Sequence, residues 1–214
     1  MVNNDPAPLT LRERKKRQTR QRISDVASML FFERGFDNVT VAEVAEAAEV
    51  SAMTVFNHFP RKEDLFLDRL PEATELITLA VRGRGEGESP LVPLRRMLLE
   101  LMDQRHPLSG LHDDFPHFWR VVLAAPTLRA RAREAVEEME DTMTALLAEA
   151  AGVEPGDSRA RLAAALTVAA CRTIYITTAT RLLAGERADD IADEQRALVV
   201  HAFESLERAL TDGL

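Results

Sequence analysis

One cysteine, one tryptophan and one tyrosine are all that 214 residues supply of those three types. A single cysteine, Cys171, excludes an intrachain disulfide and suits a reducing compartment. It lies in an apolar segment, where cysteine behaves as a small inert hydrophobe rather than a nucleophile. No stretch alternates apolar and polar residues for long, and no Asn-Gly or Asp-Gly pair sits between two apolar runs, so both strand signals are missing. The opening MVNNDPAPLTL lacks the charged-then-apolar order of an export signal. The longest nearly uncharged run of note, Leu162–Cys171, suits a buried helix better than a membrane span. The expected location is the cytoplasm, away from membranes. There is no G-x-S-x-G, and the glycines from Gly83 to Gly87 follow a helical pattern without the Gly-Lys-Ser/Thr of a phosphate loop. His106, His112, Asp113, Asp114 and His117 crowd together but match no metal-ligand spacing. Neither catalysis, a metal nor a cofactor is expected.

What is present is helix and an uneven charge. The net charge of −8 would argue against a nucleic-acid partner. Residues 1–62, however, hold 10 of the 27 Lys+Arg and 8 of the 35 Asp+Glu, leaving 17 and 27 for the rest. A net of +2 therefore sits on one part and −10 on the other. With a Debye length near 8 Å at physiological salt, a polyanion senses the local charge. The cations concentrate in Arg12, Arg14, Lys15, Lys16, Arg17, Arg20 and Arg22, opposed only by Glu13. Such a run is either a solubilising tail or a phosphate-binding arm, and its neighbour favours the arm.

That neighbour is TVAEVAEAAEVSAMTVFNHFPRK, residues 40–62. Thr40 and Glu43 form a capping box, and Val44, Ala45 and Ala48 present a small apolar face. Ser51 caps a second helix whose expected buried face is Val55, Phe56 and Phe59, ended by Pro60. Upstream, Ile23, Val26, Ala27, Leu30 and Phe31 make one stripe over a helix from Gln21 to Arg34. Gly35 is placed to end it in a left-handed turn, with Phe36 folding back. Two short helices across a tight turn suit a helix-turn-helix, whose second helix enters a major groove. Ser51, Thr54, Asn57 and His58 are the candidates for groove and backbone, and Ala52 and Met53 for base edges. Thr40 and Lys62, at helix starts, are candidates for phosphate.

Gly35-Phe36, Thr40–Ala45, Val50-Ser51, Phe56–Phe59 and Lys62–Leu65 together resemble the TetR-type repressors over roughly residues 17–66. The resemblance implies an all-α protein with an N-terminal three-helix, helix-turn-helix DNA-binding domain. A C-terminal helical ligand-binding and dimerisation domain would follow. Arg20, from the basic run, and Phe56, from the second helix, complete the expected DNA contacts. Three departures stand out: Glu49 at the turn in place of glycine or aspartate, Phe56 for the usual tyrosine, and Arg61 where a serine or threonine caps the next helix. Met53, too, replaces a smaller residue. The expected organisation is a basic arm at 1–17, a DNA-binding domain at 18–62 and a second domain at 63–214.

Helical periodicity in that second part predicts segments 63–82 (kinked or restarted at Pro71), 91–104, 114–124, 127–151, 158–183 and 191–211. The last helix carries Leu198, Ala202, Phe203, Leu206 and Leu210 on one stripe, and 158–183 is apolar on nearly every side, Ile174 included. These are the expected homodimer residues, although part of such a stripe must serve the chain's own core. Met97, Leu101, Phe118, Trp119, Met139, Met143, Cys171 and Tyr175 are candidates for an apolar effector pocket; each alone is ordinary core. The expected function is a ligand-responsive regulator, a repressor, binding double-stranded operator DNA as a homodimer and released by a small hydrophobic effector. The alternative is a constitutive helix-turn-helix protein whose second domain only dimerises.

Overall fold

The structure, a computed structural model, describes residues 10–211. Every regular element among them is helical. The chain divides into two compact units after Asp68, six residues beyond the boundary expected at Lys62.

The first unit contains α1 (Leu11–Arg34), a 3₁₀ turn (Phe36–Asn38), α2 (Val41–Ala47), α3 (Ala52–His58) and α4 (Glu63–Phe66). Helix α1 begins ten residues earlier than the start expected at Gln21. The Thr10 hydroxyl accepts from Glu13 N and the Glu13 carboxylate accepts from Thr10 N, a second capping box that starts the helix under the basic run. Residues 11–17 are thus two exposed helical turns, not an irregular arm; the remainder of the expected 1–17 segment lies outside the described residues. Ile23, Ala27 and Phe31 of the stripe are fully buried, with Val26 and Leu30 at its edges. Gly35 takes φ +81°, open to glycine and strained for other residues. Phe36 then turns back to lie 4.9 Å from the Phe31 ring. Val39, Val44, Ala45, Val55, Phe59, Leu65 and Phe66 close this core. Each large side chain so buried contributes about 1.5–3 kcal/mol.

The second unit holds α5 (Leu70–Arg82), α6 (Leu91–Asp103), α7 (Phe115–Ala124), α8 (Pro126–Ala151), α9 (Ser158–Leu183) and α10 (Ala188–Thr211). The helix expected over 63–82 is two helices, separated at Leu67–Arg69, and Pro71 lies in the first turn of α5, where it has no intrahelical donor to lose. Helix α9 packs on α8, α10 and α7, and α6 packs on α10 and α5. Ala160, Ala163 and Ala164 are fully buried, and their small size lets neighbouring backbones approach. Asp157 caps α9 by accepting from Arg159 N and Ala160 N. Helix α9 is long and apolar enough by length and composition to cross a membrane. Its alanine face is instead core, and Arg161, Arg172 and Arg181 interrupt it.

The dimer expectation needs correcting at one residue. Phe203 is 0% exposed within its own chain, so it belongs to the intrachain core and is closed to a partner. Ile174, Leu206 and Leu210 also pack on that core, half-buried; Leu198 and Ala202 are half-buried as well. The apolar side chains that α9 leaves exposed are others: Leu162 at 58%, Leu166 at 40% and Ile176 at 48%. With exposed Ala169, Thr173 and Thr180 they recur at i, i+4, i+7, i+11, i+14 and i+18, one stripe about 27 Å long at 1.5 Å per residue.

Candidate nucleic-acid interface

The presentation of α3 follows from the turn before it. Thr40 accepts from Glu43 N at 3.2 Å, and the Glu43 carboxylate accepts from Thr40 N at 2.7 Å and from the Thr40 hydroxyl at 2.8 Å. Arg34 reaches the same carboxylate at 2.5 Å, and these partners hold its pKa down to about 2. Helix α2 then ends at Glu49 with φ +52°, a left-handed residue that costs about 1 kcal/mol without glycine. Val50 N donating to Ala45 O at 2.9 Å closes the turn. Ser51 accepts from Thr54 N at 3.0 Å and bonds the Thr54 hydroxyl at 2.8 Å, fixing the start of α3.

Val55 and Phe59, one turn apart, enter the core. Phe56 does not: it is 48% exposed, because it lies about 100° around the helix from Val55. The outward face is Ala52, Met53 (69% exposed), Phe56 and Asn57, at i, i+1, i+4 and i+5. It offers methyl, thioether and ring surface with one amide, the chemistry that meets thymine methyls and adenine edges. Thr54 and His58 flank it, half-buried. Burial, then Arg20 and Lys16 of α1, hold the His58 pKa down.

Two of the expected phosphate ligands are otherwise engaged. Arg20 donates to His58 O at 2.5 Å and to Asp68 O at 3.2 Å, and its guanidinium lies 4.0 Å from the Phe59 ring centroid. Its place is therefore inside the first unit, clamping α3 and the end of α4 to α1. Lys62 donates to Phe36 O at 2.6 Å and stands 4.2 Å from that ring, half-buried, its pKa lowered by burial. It ties the α1–α2 connection to the start of α4. Exposed basic side chains gather on α1, at Arg12, Arg14, Lys15, Lys16, Arg17 and Arg22, and Arg61 is exposed ahead of α4.

Residues 23–68 match the family model described as bacterial regulatory proteins, tetR family. The HTH-type transcriptional regulator TcmR of Streptomyces glaucescens is 34% identical over 153 residues, covering 69% of this chain and 66% of TcmR. The chain belongs to the TetR family. It spans just under two thirds of TcmR's length and about two fifths of the next relatives it matches. In fold, it is similar to NalD, the secondary repressor of the MexAB-OprM multidrug efflux pump in Pseudomonas aeruginosa. The TM-score there is 0.53 at 21% identity, covering 87% of this chain and 97% of NalD. It is also similar to SmeT, whose structure is a complex with triclosan (TM-score 0.56, 16% identity, 90% and 91% covered).

The family match and the helix-turn-helix both lie in the first unit. The second unit gathers several of the expected pocket residues around rings. Phe115, Phe118 and Trp119 of α7 meet Tyr175 of α9, with centroids 5.1–6.1 Å apart across five pairs. Phe115 touches all three other rings, its i, i+3, i+4 spacing to Phe118 and Trp119 setting the three on one side of α7. Met97, Met139 and Cys171 pack on this core, Met143 lies within it, and Leu101 is buried. Burial pushes the Cys171 thiol up to about 12, leaving it without thiolate chemistry, and also raises the Tyr175 pKa. The histidines close loops: His106 Nδ1 accepts from Leu108 N and His112 Nδ1 from Asp114 N. Among the described residues no three His, Cys, Asp or Glu side chains gather as metal ligands.

Proposed function

We propose that the chain is a ligand-responsive repressor that binds a palindromic operator as a homodimer in the cytoplasm and leaves it when a small, largely apolar effector binds the second unit. The observation that carries the reading is the outward face of α3: Ala52, Met53, Phe56 and Asn57 stand exposed on a helix whose other face is locked into a core. Ser51, Thr54 and His58 border that face, and Thr40 lies at the start of α2. The exposed cations of α1 supply the sequence-independent phosphate attraction, and α3 supplies discrimination.

Dimerisation rests on the α9 stripe of Leu162, Leu166 and Ile176. An exposed apolar row of that length on a core helix is what a second copy covers in an isologous four-helix contact, with the half-buried residues of α10 beside it. Two recognition helices then address half-sites about 34–36 Å apart. Effector release requires only that the effector prefer the non-DNA state, and a preference of about 1–3 kcal/mol gives ordinary coupling.

The test is retardation of the DNA upstream of the gene by the full chain, repeated with hydrophobic metabolites. Saturable binding lost on adding one compound supports the reading. Binding indifferent to every compound that the protein takes up returns the second unit to dimerisation alone.

A further inference from the structure

Resting on that reading, we propose that the effector is an uncharged, flat aromatic compound carrying a carbonyl oxygen, held among Phe115, Phe118, Trp119 and Tyr175 with the carbonyl accepting from Trp119 Nε1. The indole Nε1 is buried and has no hydrogen-bond partner among the described residues. A buried donor left unpaired keeps its full desolvation cost, so an acceptor delivered there gains more than one delivered to an exposed group.

The four rings select flatness. Phe115 and Phe118 are parallel within 4° at 5.6 Å, and Trp119 stands edge-on to both, at 81°. Tyr175 meets Phe115 at 78°. The four rings pack on one another, and an aromatic guest entering among them can exchange ring–ring contacts for equivalent ones. A flexible alkyl chain would lose those quadrupole contacts and its own rotamer freedom. Gly110 lies against this cluster at φ +68°: a Cβ there would stand 2.8 Å from Phe115 Cε1 and 2.9 Å from Tyr175 Cε2, so the preceding loop rests directly on the rings.

Neutrality follows from the surrounding polar groups. The fully buried polar side chains described in the second unit are Thr167, Thr178 and Gln195, none of them charged. Thr178 donates to Gln195 Oε1 at 3.0 Å, so that pair satisfies itself. Among the described residues of the second unit no cation is fully buried, so a carboxylate placed among the rings would keep most of its desolvation cost.

The probes are fluorenone, fluorene, fluorene carboxylate and dodecanol, titrated by calorimetry into the full-length protein. Fluorenone should bind about tenfold more tightly than fluorene, the difference being the carbonyl, and the carboxylate at least about tenfold more weakly than fluorenone. Trp119→Phe should bring fluorenone and fluorene within about twofold of each other. Since the chain has one tryptophan, the single indole N–H resonance of the wild type gives the same answer without a variant. It should move downfield with fluorenone and not with fluorene. Dodecanol binding more tightly than fluorenone, or a carbonyl preference that survives in Trp119→Phe, overturns the proposal, as does an indole resonance indifferent to fluorenone. Operator retardation in parallel separates the two readings. Fluorenone that binds in this pattern without releasing DNA refutes release and leaves the ligand class standing; release by dodecanol alone refutes the class and leaves release standing.

Discussion

Replacing Arg20 distinguishes a phosphate ligand from a clamp, and the structure sets the size of the effect. Its guanidinium donates to the carbonyls of His58 and Asp68 and covers the Phe59 ring. Hydrogen bonds from a charged donor contribute about 1.5–3 kcal/mol when buried, and the lower end applies to a half-exposed side chain. A partly exposed cation–π contact adds about 0.5–1 kcal/mol. Arg20→Met, which keeps the apolar stem, should therefore lower stability by about 2–3 kcal/mol in urea titration of the full chain. Arg20→Lys should recover less than half, because an ammonium cannot fork to two carbonyls as a planar guanidinium does. Under folding conditions the salt slope of operator binding should stay near the wild-type value. Unchanged stability together with a slope lowered by about one unit would refute the clamp and restore Arg20 to the phosphate contacts.

Phe203→Glu should unfold the second unit by placing a charge in a closed core, whereas Leu162→Glu with Leu166→Glu should give folded monomers with weakened operator binding; sedimentation with circular dichroism separates the two. Glu43, its folded pKa depressed to about 2, contributes stability that is complete above the unfolded carboxylate range near 4 and is lost as pH falls toward 2. Wild type and Glu43→Gln should accordingly differ at pH 6 and converge in acid unfolding near pH 2; a constant difference would show that the carboxylate charge is not what matters. Exchanging Arg12, Arg14, Lys15, Lys16 and Arg17 for glutamine should leave α1 helical while reducing operator affinity and its salt dependence together, and an unaltered salt titration would make this segment a solubilising extension.

Most helix positions were legible because periodicity and caps are local. Helix α9 matches its expected bounds of 158–183, and both helices of the helix-turn-helix start at the expected caps, Thr40 and Ser51. The capping box at Thr10 and Glu13 was equally readable, but the dense cations between and after them drew the segment toward an arm. The contacts that Arg20 and Lys62 make within the first unit were not legible for a different reason. Their partners lie 38, 48 and 26 residues away, and nothing in a basic run marks which cation will fold back onto a carbonyl. Phe203 and Leu162 show the limit of stripes: apolar spacing identifies a buried face without saying whether the same chain or a second copy buries it. Phe56 could have been placed outward, since Val55 and Phe59 already define an i, i+4 inner row that excludes it.

The most direct measurement is an anisotropy titration of the labelled DNA upstream of the gene, against a scrambled duplex, at about 0.15 M salt. The full chain should saturate its operator at two protomers per palindrome and prefer it to scrambled DNA. Met53→Ala with Asn57→Ala should erase most of that preference, since each good base contact is worth about 1–3 kcal/mol, while preserving fold and salt slope. Equal affinity for operator and scrambled DNA, or a preference untouched by the α3 substitutions, would contradict the assignment of this face as the reading surface.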